Sequence, residues 1–194
     1  MKTFVSLGLI LINGILIAQQ TDSKKYSVSA KSGLTIPIQG SYLRENWNIG
    51  PYVSLNLIRQ TNVLDFVIGA DYECLRLSDD KIKIVTPNIG ILYEFNACDF
   101  HIVSTACIGY SWINFTLGKG VIVDPPIQYV ETKLDGLSAS LDVKLAYSIT
   151  ESIQICIGAG YLNIFKPFSY EDQTVDESKF MGLLRPNISV TYIF

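Results

Sequence analysis

The sequence predicts an all-β protein: an eight-stranded antiparallel up-and-down transmembrane β-barrel formed by residues 19–194. Three observations point there. Apolar residues recur with period two in eight separate segments, as strands with one apolar face require. The ionisable residues of those segments collect on the opposite faces, the reverse of what a water-soluble barrel shows. The connections between segments fall into short and long sets, as hairpin turns at one end of a barrel and loops at the other would.

The chain opens with a leader. Met1-Lys2-Thr3 carries one positive charge, Phe4 to Ala18 is almost wholly apolar, and small Ala18 precedes polar Gln19-Gln20. That is the n-region, h-region and cleavage-site order of a secretory signal peptide, expected to span residues 1–18. An apolar run of about 15 residues is short for a membrane-spanning helix. No cysteine follows the small residue, so a lipoprotein anchor is not expected.

The eight segments follow in order. The first, Tyr26 to Ile38, puts Tyr26, Val28, Ala30, Leu34, Ile36 and Ile38 on one face. The second, Trp47 to Leu57, alternates Trp47, Ile49, Pro51, Val53, Leu55 and Leu57 with small or polar partners. The third, Leu64 to Leu75, presents Leu64, Phe66, Ile68, Ala70, Tyr72 and Cys74. The fourth, Ile82 to Phe95, enters phase at Val85 and continues through Pro87, Ile89, Ile91, Tyr93 and Phe95. The fifth, Phe100 to Trp112, shows Ile102, Ala106, Ile108, Tyr110 and Trp112. The sixth, Leu137 to Ile149, alternates through Leu141, Val143, Leu145 and Tyr147. The seventh is Ile153 to Tyr161. The eighth runs through Ile188, Val190 and Tyr192 and stops on the aromatic Phe194.

Within those spans the apolar faces read as free of Asp, Glu, Lys and Arg, while the other faces hold Lys31, Asp65, Asp71, Glu73, Glu94, Asp142, Lys144 and Arg185. A basic side chain facing hydrocarbon at mid-membrane costs about 2–4 kcal/mol, so a lipid face should exclude it. Ions inside a narrow barrel persist if they pair. Lys31, Asp71, Asp142, Lys144 and Arg185 are expected at comparable depth, with strands one and eight becoming neighbours on closure. This network reads as a plug in preference to an ion path, because eight strands leave room only for side chains.

Aromatics are expected at the two lipid–water interfaces: Trp47, Tyr72, Tyr110, Trp112 and Tyr161 near the loop end, and residues including Tyr192 and Phe194 near the termini. Glycine recurs at inward positions (Gly33, Gly50, Gly69, Gly90, Gly109, Gly158, Gly160), where a tightly curved wall leaves little space. Pro51, Pro87 and Pro186 fall on the apolar faces, and a bulge at each is one way to absorb the missing donor. The connections 59–62, 96–99 and 150–152 are short, as is 78–81, whereas 115–136 and 162–179 are long. Both termini then lie on the side of the short turns, expected to be periplasmic.

Composition narrows the function. The formal charge is −3, and without Lys2 there remain 14 basic against 18 acidic residues. That balance excludes a nucleic-acid-binding face. Cys74, Cys98, Cys107 and Cys156 lack metal-type spacing and read as unpaired small fillers, although export would permit a disulfide. No metal site and no cofactor is expected. Catalysis by a Ser-His-carboxylate set is not expected either, because the one histidine, His101, and Ser104 lie on opposite faces of their strand. The apolar stretch Val121–Val130 reads as a continuation of its strands into a hairpin or as a protein-contact surface. Acidic Glu171, Asp172, Asp176 and Glu177 read as a solvated loop.

The pattern as a whole, the piece Pro87-Asn88-Ile89-Gly90-Ile91-Leu92-Tyr93-Glu94-Phe95 and the ending Val190-Thr191-Tyr192-Ile193-Phe194 resemble the small outer-membrane β-barrel proteins of Gram-negative bacteria, of OmpX/OmpA or PorT-like type. The resemblance implies a place in the outer membrane among lipids and lipopolysaccharide. It also implies recognition of the terminal strand by the barrel-insertion machinery, and possible protein partners at the loops. The expected function is that of a non-enzymatic integral barrel with a plugged polar interior and a structural or loop-mediated role. The alternatives are a lipid-modifying enzyme or narrow channel in the same fold, or a soluble exported ligand-binding barrel with its faces inverted.

Overall fold

Each alternating segment becomes a strand, and the strands pair in chain order until the last meets the first. The computed structural model describes residues 26–39, 48–61, 64–77, 80–97, 100–116, 133–165 and 180–194. Its strands are β1 (Tyr26–Gln39), β2 (Gly50–Arg59), β3 (Asp65–Leu77), β4 (Asp80–Ala97), β5 (Phe100–Thr116), β6 (Lys133–Thr150), β7 (Ile153–Phe165) and β8 (Phe180–Ile193). They form one closed antiparallel barrel. The closing seam runs from Ser27↔Ile193 to Gln39↔Gly182, and the Phe194 N–H donates to the Tyr26 carbonyl at 3.0 Å, carrying the ladder to the last residue. Closure satisfies backbone groups that hydrocarbon cannot.

The outer wall is apolar. Leu137 is 67% exposed, Ile108 65% and Ile157 64%, while Asp142 and Lys144 are buried. The inverted, soluble-type arrangement is therefore not the one observed. No helix among the described residues is long and apolar enough to cross a membrane; crossing here would be by strands.

Several expectations are corrected. β4 begins at Asp80, β5 runs to Thr116, β6 starts at Lys133 and β7 runs to Phe165, so the connections expected at 78–81, 115–136 and 162–179 are shorter. Strand pairing continues wherever a neighbour supplies hydrogen bonds, whether or not the hydrophobic alternation persists. β4 is in phase throughout: Ile82 and Ile84 are fully buried inside, which turns Lys83 outward. The wall is therefore not free of charge, since Lys83 within the expected span and Arg59, Arg76, Lys81 and Asp135 beyond the spans are all exposed.

Pro51, Pro87 and Pro186 cause no bulge. Pro51 pairs with Leu34, Pro87 with Ala70 and Pro186 with Ala159, all in unbroken register. On the other side the ladder skips Pro87 between Val85↔Trp112 and Asn88↔Gly109, and skips Pro186 between Gly33↔Asn187 and Ile36↔Leu184, without a shift. Each of these two prolines thus omits bonding toward one neighbour only. The register shifts lie elsewhere, between Pro37 and Gln39 and between Ser148 and Thr150. Where Pro186 interrupts the seam, its carbonyl comes so close to Gly33 that a Cβ there would overlap it, which explains glycine at that position.

The turns at the terminal end are tight. Thr61 N–H donates to Asp65 Oδ1 at 2.7 Å, and Ser152 N–H to Thr150 Oγ1 at 3.2 Å. Residues 1–25, Trp47, Val121–Val130 and the acidic run Glu171–Glu177 lie outside the described residues.

Candidate functional site

The lumen holds the polar chemistry of the molecule. Arg185 on β8 extends across to β3, three places round the barrel by way of β1 and β2. Its Nη1 donates to Asp71 Oδ2 at 2.8 Å, and its Nη2 donates to Glu73 Oε1. The guanidinium also stacks over the Tyr52 ring, with Cζ 4.8 Å from the centroid. A planar fork suits two carboxylates and an aromatic face at once, which an ammonium would not. Lys31 on β1 likewise crosses to β6, where its Nζ lies 3.0 Å from Asp142 Oδ2. Lys144 Nζ approaches the same oxygen at 3.6 Å, and Asn187 Nδ2 donates to Asp142 Oδ1 at 3.2 Å. Asn187 Nδ2 also donates to the Arg185 carbonyl at 3.0 Å, tying the two groups together.

Formal charges balance across the network, but not within each half. Arg185 faces two carboxylates and Asp142 faces two ammonium groups, so the halves carry opposite net charge. Arg185 is 3% exposed, Asp71 4% and Glu73 0%. Ions so far from water persist because each has a partner at contact distance.

Apolar clusters lie on both sides of this belt. Leu75, Ile82, Ile84, Ile113, Leu162, Ile164, Met181 and Leu183 fill the lumen toward the long loops. Ile58, Val67, Leu92, Val103, Cys107, Ala146 and Cys156 fill it toward the termini. The interior is therefore layered, apolar then ionic then apolar, and not uniformly polar as expected. Hydroxyl pairs line the remaining wall, among them Thr86 with Ser111 at 2.7 Å and Thr191 donating to Ser29 at 3.0 Å.

All five residues read from the sequence as interior charges meet in this belt. Glu73, Tyr52 and Asn187 also belong to it, although none is among the five residues of the expected network. Glu73 was on the inward face by period two, and the same periodicity places Tyr52 and Asn187 there.

The expected interface aromatics among the described residues lie on the outer wall. Tyr72 pairs with Val85, which pairs with Trp112 on the next strand. The Tyr110 and Trp112 rings meet edge to face at 5.9 Å, and the Tyr110 hydroxyl donates to Asp135. Tyr192 and Phe194 stack at 6.0 Å at the terminal end. Tyr161 pairs with Leu141 and Leu184, and its strand continues outward to Phe165.

His101 lies on the inner face near the terminal mouth, its Nδ1 3.0 Å from Glu94 Oε1. Ser104 follows three residues later on the other face, so that hydroxyl does not join this pair. Among the described residues no cluster of His, Cys, Asp and Glu has the arrangement of a metal site. Cys74, Cys107 and Cys156 are buried free thiols. In the folded protein these three are expected to resist maleimide, and to react fully after denaturation. Peptide mass mapping of the adducts checks this, and modification of any of the three before unfolding would contradict the burial.

Comparison with solved structures places this geometry among known folds. Neisserial surface protein A aligns with a TM-score of 0.62 at 15% identity, covering 89% of this chain and 98% of that one. This chain has the fold of the small outer-membrane β-barrels. A major outer membrane protein from Thermus thermophilus gives 0.57 at 13% identity, covering 88% and 98%. Ail, the attachment invasion locus protein of Yersinia pestis, gives 0.54 at 10% identity, covering 88% and 98%. No protein-family model and no curated protein sequence matches the chain.

Proposed function

We propose that this protein is a non-enzymatic integral barrel of the outer membrane, with both termini periplasmic and a closed lumen. Its role is structural, or lies in presenting the loops beyond β5 and β7 to a partner. One observation carries the reading: the wall faces outward with apolar side chains, while the paired ions sit between two apolar clusters inside. Lipid solvates the first arrangement, and the second supports a lumen filled by side chains. The fold shared with known outer-membrane barrels supports the location, and the pattern of the leader supports export. Recognition by the insertion machinery through Val190–Phe194 follows from the same reading.

Planar-bilayer recording of the refolded barrel tests it. The expected result is no steady conductance, and resolved long-lived open levels would replace the closed-lumen reading with that of a narrow channel.

A further inference from the structure

Three cations form a patch on the outer wall that the lumen does not explain. Arg76 on β3 and Lys81 on β4 are direct cross-strand partners. Lys83, paired with Cys74, stands on the same face two residues further along β4. All three side chains are exposed, and among the described residues none is ion-paired. Like charges directly opposite on a sheet are destabilising, with side chains about 5 Å apart, unless an anion lies between them.

Their height is defined by the strand itself. Counting along β4 from the outward aromatic Tyr93, Lys83 is about ten residues away, the length of tilted strand that crosses the hydrocarbon layer. On β3 the same count leads from Phe66 to Arg76. The row Tyr72, Val85 and Trp112 lies just below the patch. The cations therefore stand immediately beyond an aromatic row, at the end of the barrel that bears the long loops.

We infer that Arg76, Lys81 and Lys83 form a binding site for the phosphorylated headgroup of an outer-leaflet lipopolysaccharide. This rests on the outer-membrane location proposed above. A phosphate between opposed cations removes their repulsion, and forked Arg76 suits two of its oxygens. The neighbouring wall, with Val85 and Trp112, takes the acyl chains. A soluble anion would lack that second contact, which favours the lipid as the source.

The test uses the full barrel refolded in a neutral detergent, with native mass spectrometry reading bound lipid. The probes are bis-phosphorylated lipid A, the same lipid dephosphorylated, and inorganic pyrophosphate. The variant is the triple Arg76→Gln, Lys81→Gln, Lys83→Gln, and Arg59→Gln at the opposite rim serves as control. The wild type and R59Q should prefer phosphorylated over dephosphorylated lipid roughly 100-fold, at about fivefold per basic side chain. The triple variant should lose that preference, and added salt should weaken it in the wild type. A preference equal in the triple variant, or absent from the wild type, overturns the site. Pyrophosphate binding as tightly as the lipid overturns the lipid as its source. Heat-dependent gel mobility reports barrel formation in every sample, and insertion into vesicles is scored separately, so a failure of the membrane reading is distinguishable from a failure of the patch.

Discussion

Replacing Arg185 with Met is expected to destabilise the folded barrel by about 3–5 kcal/mol, the cost of leaving buried partners uncompensated. Arg185 is the cation at contact distance from both Asp71 and Glu73, and all three are almost wholly buried. Its loss leaves two adjacent carboxylates in the lumen without that cation, between two apolar clusters. Urea midpoints of the barrel in lipid vesicles measure the effect. The companion experiment neutralises the whole group, with Arg185→Met, Asp71→Asn and Glu73→Gln together. That variant should recover most of the loss, because removing every member of a buried ionic set is far cheaper than removing one. A single variant as stable as the wild type would mean that the network contributes no constraint.

An arginine introduced on the outer wall should cost an amount that depends on depth. Leu141 is 54% exposed and pairs with Ala106, midway along β6. Leu137, 67% exposed, lies on the same face of the same strand and pairs with Tyr110 nearer the loop end. Leu141→Arg is expected to cost about 2–4 kcal/mol, and Leu137→Arg about 0–1 kcal/mol, because an interfacial side chain can extend its charge to the headgroups. Folding yield into vesicles, read by heat-dependent mobility together with urea titration, separates the two. Equal penalties would mean that this wall does not face hydrocarbon. A soluble barrel would show neither cost, which makes this pair the more decisive test of location.

Much of the wall was legible because alternation is a local property. From Leu137 to Leu145 of β6 and from Leu184 to Tyr192 of β8 one face is apolar and the other polar without interruption, so period two identified both the strand and its orientation there. It failed where both faces are apolar. Ile82 and Ile84 fill the lumen while Val85 and Ile89 face outward, so the contrast disappears and Lys83 was assigned to no face. The proline positions were also legible, but their consequence was not. Whether a missing donor causes a bulge depends on which neighbouring strand it would have faced, and that is a property of the pair.

Period two by itself determined an eight-stranded wall and, outside the start of β4, which residues look outward and which charges look inward. Only closure decided which of those charges meet. Lys31 and Asp142 are 111 residues apart, and Arg185 and Asp71 are 114 apart. The physical reason is that side-chain direction follows from the backbone repeat of one strand. Height and angular position around the axis follow from the tilt and register of all eight, and a long cation reaches only the carboxylate that this shared geometry brings across from it.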